Sequence, residues 1–305
     1  MLQRRGIILA GGTGSRLFPI TITTSKQLLP VYDKPMIYYP LSVLMLSGIT
    51  EVAIITTPDQ RANFSALLGD GSALGLQLTY IEQPRPEGLA QAYLLAEDFL
   101  DGHPSAMILG DNIFFGHGLS DVLQSASSNA GRSTIFGYQV SDPSRYGVVG
   151  IDSDGRATSV EEKPEAPKSH FAATGLYFLD GDASQRARAV RPSERSELEI
   201  TDLLQSYLDD GLLDVERLSR GYAWFDTGTH QSLLDAGDFV RTIEDRQGLK
   251  IGCIEEVAFN LGLIDMEQLL RLAAPLLKTS YGQYLRRTAL SGPVSAGLRD
   301  LRSIA

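Results

Sequence analysis

The stretch "GIILAGGTGSRLFPITITTSKQLLP", residues 6–30, gathers the residue types of an anion site. Gly11, Gly12 and Gly14 follow an apolar run and free backbone N–H groups to converge on one spot, forming an anion nest. Arg16 adds a planar fork of donors suited to phosphate oxygens, and Lys26 can reach in as a point charge. Two common phosphate loops fail at particular positions. A dinucleotide fingerprint needs G-x-G-x-x-G, but Leu17 stands at its third glycine; no G-x-x-x-x-G-K-[ST] string occurs in the chain. What remains is G-G-x-G-x-R behind a strand. A tight turn that merely uses its glycines stays open as the alternative.

Other candidates are weaker singly. Asp111, in "LGDN", ends an apolar run, where it could hold a divalent cation or simply cap a turn. Asp226, in "WFDTGT", could supply a second carboxylate to a Mg²⁺ ion that phosphate oxygens also hold. Glu162 and Lys163, in "EEKP", could accept from ligand hydroxyls and neutralise a phosphate, or form an exposed strand end. His103, His117, His170 and His230 show no metal-ligand spacing, and there is no G-x-S-x-G elbow. Phosphoryl transfer between two anions needs no covalent nucleophile. It needs positioning and charge neutralisation.

The elements that must position these residues follow from hydrophobic patterning. Strand-like runs fall at 7–10, 52–57, 78–83, 107–110 and 134–140, with helical patterns at 36–47, 60–68, 90–100 and 119–127. This alternation predicts βαβ units, hence an α/β fold with a Rossmann-like doubly wound, mostly parallel sheet. Ligands bind such sheets at the carboxyl ends of the strands, which puts the glycine loop, Gln83, Asp111 and Asn112 on one edge. Beyond Tyr146 a smaller β-rich and then helical addition begins, with a hairpin about Asp154-Gly155, strands in "HFAATGLYFLD" and "YAWFDTGT", and helices near 201–209, 231–246 and 265–278. Thr201 is expected to cap the first of these helices. The implied division is a core over 1–240 with an inserted β region at about 146–180, a helical subdomain over 241–290 and a loosely held tail over 291–305.

The chain has 305 residues and a net charge of −10. Residues 1–34 carry five cations against Asp33 alone, a local +4 that leaves −14 for the rest. An acidic body with a basic front suits a small anionic ligand and makes nucleic acid a poor partner. The single cysteine, Cys253, forms no disulfide within the chain and fits a reducing compartment. Arg4 and Arg5 precede an apolar run too short for an export signal, and no stretch reads as a membrane span. A cytoplasmic protein with no membrane partner is the expectation.

The quoted fragments together resemble the sugar-nucleotide pyrophosphorylases, whose signature runs L-A-G-G-x-G-[ST]-R-L-x-P and then K-x-[LM]-[LV]-P. Agreement continues through "QPRPEGLAQAY", "LGDNIFFGH", "SRYGVV", "EEKPEAPKS", "TGLYF", "ELEITD" and "GYAWFDTGTH", about residues 6–285. The resemblance is greatest to members that use dTTP and glucose 1-phosphate. It implies Mg²⁺-dependent in-line attack of the sugar phosphate on the α-phosphorus, releasing pyrophosphate. It also implies roles. Gly11, Gly12, Gly14, Ser15 and Gln27 would wrap the nucleotide, Arg16 would stabilise the transferring phosphates and Lys26 the departing pyrophosphate. Gln83 and Gly88 would read the thymine edge, and Asp111 and Asp226 would ligate Mg²⁺. Asn112, Tyr146, Gly147, Glu162, Thr174 and Gly175 would line the sugar pocket, and Lys163 would hold the sugar phosphate.

Members of this family also resemble one another in forming homotetramers with a second, feedback nucleotide site, matched here by Gly116, His117, Arg220 and Glu256. Phe115 and Asn260 depart from the tyrosine and arginine expected there, and losing a guanidinium removes a bidentate phosphate partner. A UTP-using pyrophosphorylase, a non-catalytic regulatory subunit on the same fold and a nicotinamide dehydrogenase remain alternatives. The retained Arg16, Lys26, Asp111, Lys163 and Asp226 argue against the second, and Leu17 argues against the third.

Overall fold

A computed structural model describes residues 3–293. The tail expected over 291–305 therefore lies, beyond its first three residues, outside the described residues.

Strand Arg5–Ala10 occupies the middle of a nine-stranded sheet. Ile7 and Ile8 are both fully buried, so its two faces are covered and its sequence reads as an unbroken apolar run. Glu51–Thr56 pairs with it in parallel on one side, and Gln77–Glu82 lies outside that strand, again parallel. Ser105–Leu109 pairs in parallel on the other side, with Leu9 opposite Leu109. The chain thus winds outward, returns and starts again in the opposite direction. The switch point lies between Arg5–Ala10 and Ser105–Leu109, and its crevice opens at Gly11 and Asp111.

The fifth expected strand, Ser133–Gln139, has the direction of the parallel series but not its neighbour. Phe171–Leu179, arriving much later in sequence, fills the place beside Ser105–Leu109 and pairs antiparallel with it, with Ser133–Gln139 and with Gly147–Ile151. The hairpin about Asp154-Gly155 forms as expected from Gly147–Ile151 and Ala157–Glu162, and extends the same sheet. Leu213–Leu218, a strand the patterning did not indicate, pairs in parallel with Ser133–Gln139. A separate ribbon, Asn112–Gly116 against Tyr222–Asp226, sets Asp226 opposite Asn112.

The expected helices appear as Tyr38–Leu46, Arg61–Leu68, Leu119–Ser128, Ile200–Asp209 and His230–Gln247. The 90–100 pattern splits into Gln91–Leu95 and Glu97–Leu100. The 265–278 pattern divides into the α-helix Met266–Ala273 and the 3₁₀ turn Ala274–Leu276, where Pro275 has no N–H with which to continue the α-helical ladder. Thr201 does not cap its helix. The chain is extended at Glu199, which takes the cap position, and Thr201 lies inside the first turn, buried. Ala183–Ala189, Ile254–Asn260 and Ser280–Ser291 are helices that patterning missed. In Ile254–Asn260 all seven residues are buried, Glu255, Glu256 and Asn260 among them, so its polar residues mark no solvent face, and about two turns are too short to show a period.

The basic front is divided in the fold. Arg4 is buried and donates to the carbonyls of Ser105 and Leu179 at 2.6 and 2.7 Å. Lys34 is buried against Asp33 at 2.6 Å and Glu244 at 2.9 Å, fastening helix His230–Gln247 to the core. Of the five cations, Arg16 and Lys26 are left for the crevice. No helix among the described residues is long and apolar enough to cross a membrane.

Candidate functional site

The glycine loop leaves Arg5–Ala10 and enters the short 3₁₀ turn Ser15–Leu17 through Gly14, whose φ of +61° favours glycine. Leu17 is fully buried and anchors the turn, leaving its neighbour Arg16 exposed over the crevice. Gly11 is required for space: a Cβ there would lie 1.9 Å from Gln83 Oε1. The loop, Arg16, Lys26, Gln27 and Asp111 line one hollow of about 220 Å³.

Lys26 is ion-paired with Asp111 inside this hollow, and their side chains are 7% and 20% exposed. Asn112 donates to the other carboxylate oxygen at 2.8 Å. Burial pushes the Asp111 carboxyl up, but the Lys26 ammonium and the Asn112 hydrogen bond outweigh it and hold the group below its ordinary range. Thr227 donates from its amide and its hydroxyl to the Asp111 carbonyl at 3.2 and 2.9 Å, which ties the "WFDTGT" segment to "LGDN". Asp226 receives the Gly228 amide on Oδ1 at 2.7 Å, while Oδ2 has no hydrogen-bond partner among the described residues. No group of three or more His, Cys, Asp or Glu side chains suited to a metal occurs among the described residues. Asp111 and Asp226 both border the cleft that adjoins this hollow, and two carboxylates there fit a hard divalent cation that takes its other oxygens from water and substrate.

Arg16 and Asp111 also border a second, adjoining cleft of about 340 Å³. Asn112, Tyr146, Gly147, Glu162, Lys163 and Gly175, which the resemblance assigns to a sugar pocket, line it together with Asp226, which it assigns to Mg²⁺. Asn112 is held from two sides, its Oδ1 accepting from Trp224 Nε1 at 2.6 Å and from the Gly175 amide at 3.3 Å. Gly175 admits this approach, since a Cβ would meet Leu109 at 2.7 Å. Glu162 Oε1 lies 3.0 Å from Lys163 Nζ and 3.1 Å from Arg195 Nη2. Lys163 has a φ of +39°, a strained setting for a non-glycine residue that turns the chain at the cleft wall. Thr174 is placed differently. Ala173, Gly175 and Tyr177 face the cleft, and the two-residue alternation of the strand turns the buried Thr174 side chain to the other face.

Sequence reasoning missed Arg195, Glu199, Thr201 and Trp224 as cleft residues. Arg195 reaches both oxygens of Glu199 at 2.8 Å as well as Glu162. The fragments "ELEITD" and "GYAWFDTGTH" contain three of the four and were the available signal.

Gln83 and Gly88 stand apart from both hollows. Gln83 is buried beside Gly11, and Gly88 has a φ of +109° and packs on the Leu198 backbone. Gly116 pairs with Tyr222, Arg220 bridges to Tyr222, and His117 and Arg220 are exposed. Glu256 lies elsewhere, buried in helix Ile254–Asn260, where its carboxylate accepts from the Tyr284 hydroxyl at 2.7 Å.

Burial pushes the Glu256 carboxyl up to about 7, with Glu244 adding to the rise and Tyr284, Lys250 and Arg287 opposing it. The folded state therefore keeps a proton that the unfolded chain releases from about pH 4.5, and stability falls as pH rises from there to about 7. Glu256→Gln should lose less of its urea midpoint than the parent protein between pH 5 and pH 7.5. Equal losses would remove Glu256 as the source.

Positive charge gathered on a glycine loop at the switch point of a doubly wound sheet, with carboxylates alongside, is the equipment of a protein that holds a nucleoside triphosphate for phosphoryl transfer. The nucleotidyl transferase pattern matches residues 5–243, and the chain belongs to that family. It is 60% identical over 294 residues to a glucose-1-phosphate thymidylyltransferase of Xanthomonas campestris pv. campestris, covering 96% of this chain and all of the relative. It is 54% identical over 281 residues to the enzyme of the same name from Mycobacterium tuberculosis, covering 92% and 97%. Among solved structures, a Bacillus anthracis protein in complex with sucrose superposes with a TM-score of 0.72 at 40% identity, covering 78% of this chain and 95% of that one. A UDP-glucose pyrophosphorylase with UDP-glucose bound superposes with a TM-score of 0.70 at 25% identity, covering 79% and 100%.

Proposed function

We propose that this protein transfers a thymidylyl group from dTTP to glucose 1-phosphate, giving dTDP-glucose and pyrophosphate, the entry reaction to dTDP-rhamnose and related deoxysugars. The observation that carries the reading is the sharing of Arg16 and Asp111 by the two adjoining hollows. One hollow suits a triphosphate and the other a sugar phosphate, and the reacting atoms meet at their common wall.

The residues act by binding and charge placement. The amides from Gly11 to Ser15, with Gln27, cradle the nucleotide phosphates. Lys163 orients the phosphate of the sugar so that its oxygen faces the α-phosphorus. Glu162, Asn112, Tyr146 and Gly147 hold the sugar. Arg16 meets charge that grows on the equatorial oxygens, and Lys26 meets charge on the leaving pyrophosphate. Gln83 and Gly88 select the base. Asp111 and Asp226 would hold Mg²⁺, which when bound neutralises the phosphate oxygens. The protein works as a cytoplasmic homotetramer in this reading.

Asp226→Asn should raise the Mg²⁺ concentration needed for half-maximal turnover by about tenfold or more, since losing even an outer-shell partner of a metal ligand commonly costs about that much. An unchanged metal titration would remove Asp226 from that role. The product tests the whole proposal. After incubation with dTTP and glucose 1-phosphate, anion-exchange chromatography should reveal a sugar nucleotide that coelutes with dTDP-glucose. Recovery of both substrates intact would refute it.

A further inference from the structure

We infer that Gln91 determines base specificity by locking the amide of Gln83 in one orientation. The inference rests on the proposed role of Gln83 at the base.

Gln91 has two neighbours whose hydrogen-bonding sense is fixed by chemistry. Its Oε1 accepts from the backbone amide of Glu87 at 3.0 Å, and a backbone N–H can only donate. Its Nε2 donates to the Glu87 carboxylate at 2.8 Å, and a carboxylate can only accept. Glu87 thus holds Gln91 by both ends, and its amide cannot turn over without breaking both contacts. The fixed Oε1 then accepts from Gln83 Nε2 at 2.7 Å. Gln83 must keep its nitrogen toward Gln91 and its oxygen toward Gly11, where a Cβ would lie 1.9 Å from that oxygen. Both glutamines are buried, so water does not readily replace either contact.

A free glutamine amide is a symmetric reader. It meets thymine or uracil through Oε1 on the N3–H donor and Nε2 on the O4 acceptor. Turned over, it meets cytosine equally well through Nε2 on N3 and Oε1 on the 4-amino group. The lock at Gln91 leaves Gln83 with an acceptor and one remaining N–H in fixed places. That pattern suits a 4-oxo pyrimidine and leaves a 4-amino pyrimidine with facing donors or facing acceptors. Sites built on such hydrogen bonds discriminate strongly, because the wrong ligand leaves buried polar groups unpaired. Gln91 is a positioning residue in this scheme, since it acts through Gln83.

The test compares dUTP with dCTP, which differ at N3 and C4 alone, so the 5-methyl group does not enter. Pyrophosphate release with glucose 1-phosphate gives kcat/KM for each nucleotide. In the parent protein the dUTP:dCTP ratio should be large. Gln91→Leu frees the Gln83 amide and should reduce that ratio at least tenfold. The double variant Gln91→Glu with Glu87→Gln rebuilds the lock with the donor and acceptor between positions 87 and 91 exchanged, while the oxygen facing Gln83 is kept. It should return the ratio to within about threefold of the parent. A Gln91→Leu protein that loses rate with both nucleotides in equal proportion would overturn the inference. If Gln91→Leu does not fold, the double variant decides alone: a ratio like the parent's supports the lock, and a tenfold fall refutes it. A parent protein that releases no pyrophosphate with dTTP would instead sink the proposed activity, and that result is separable from a ratio that does not move.

Discussion

Arg16→Ala should turn over several hundred-fold more slowly than the parent protein, with its thermal midpoint unchanged within about 2 °C. The size corresponds to about 3–4 kcal/mol, the usual loss when one preorganised donor to developing charge is removed. Three observations place the effect in the chemistry. Arg16 borders both hollows, so its fork spans the wall where the phosphates meet. No carboxylate among the described residues lies within ion-pair distance of it, which leaves its donors for ligand. Its side chain is exposed, whereas the turn that carries it is anchored by the buried Leu17, so truncation removes little packing. Arg16→Lys should recover only part of the loss, because an ammonium cannot make the bidentate contact. Turnover of Arg16→Ala within threefold of the parent would remove Arg16 from the transition state.

Asp111→Asn should lower turnover by about a thousandfold and also destabilise the fold, by about 3–5 kcal/mol, the range for breaking a buried pair. Its Lys26 partner would stay buried with its charge unpaired. The two effects can be separated. Asp111→Asn combined with Lys26→Met removes both charges, and a buried pair replaced by apolar volume is often neutral for stability. The double variant should regain most of the thermal midpoint and none of the turnover. Recovery of both would make the pair a structural bridge, and loss of both to the same degree as in the single variant would show that Lys26 contributes nothing to the destabilisation. The linkage has a definite sign. The Asp111 carboxyl is held low in the folded protein, so its contribution is present above the unfolded value of about 3.9 and is lost as pH falls through the folded one.

Much of the fold was legible because the sheet is buried on both faces. Apolar runs such as 7–10 and 52–57 read as strands with little ambiguity, and the glycine loop, Gln83 and Asp111 fall where a doubly wound sheet puts its ligands. What stayed hidden is non-local. Phe171–Leu179 looks like any strand, and nothing in its residues says that it returns to the middle of the sheet between two earlier strands. Ile254–Asn260 is only about two turns long and buries its polar residues Glu255, Glu256 and Asn260 together with its apolar ones, so it shows no solvent face. At the site, Arg16, Lys26 and Asp111 announce themselves by type beside glycines or at a strand end. Arg195 sits among Glu194, Glu197 and Glu199 and looks like one more solvated charge until the fold turns it to Glu162. Charge counting misled in the other direction: Arg4 and Lys34 belong to buried backbone and ion-pair contacts, not to a ligand. Thr174 shows the limit of motif reading, since the segment is in place but alternation turns its side chain away.

The central claim is a thymidylyl transfer at the common wall of the two hollows. The most direct measurement is pyrophosphate release from the purified protein with Mg²⁺ and glucose 1-phosphate, run side by side with dTTP, UTP, CTP, GTP and ATP. Release with dTTP well above the other four is the predicted result. No release with dTTP, while the protein still binds it, would contradict the claim.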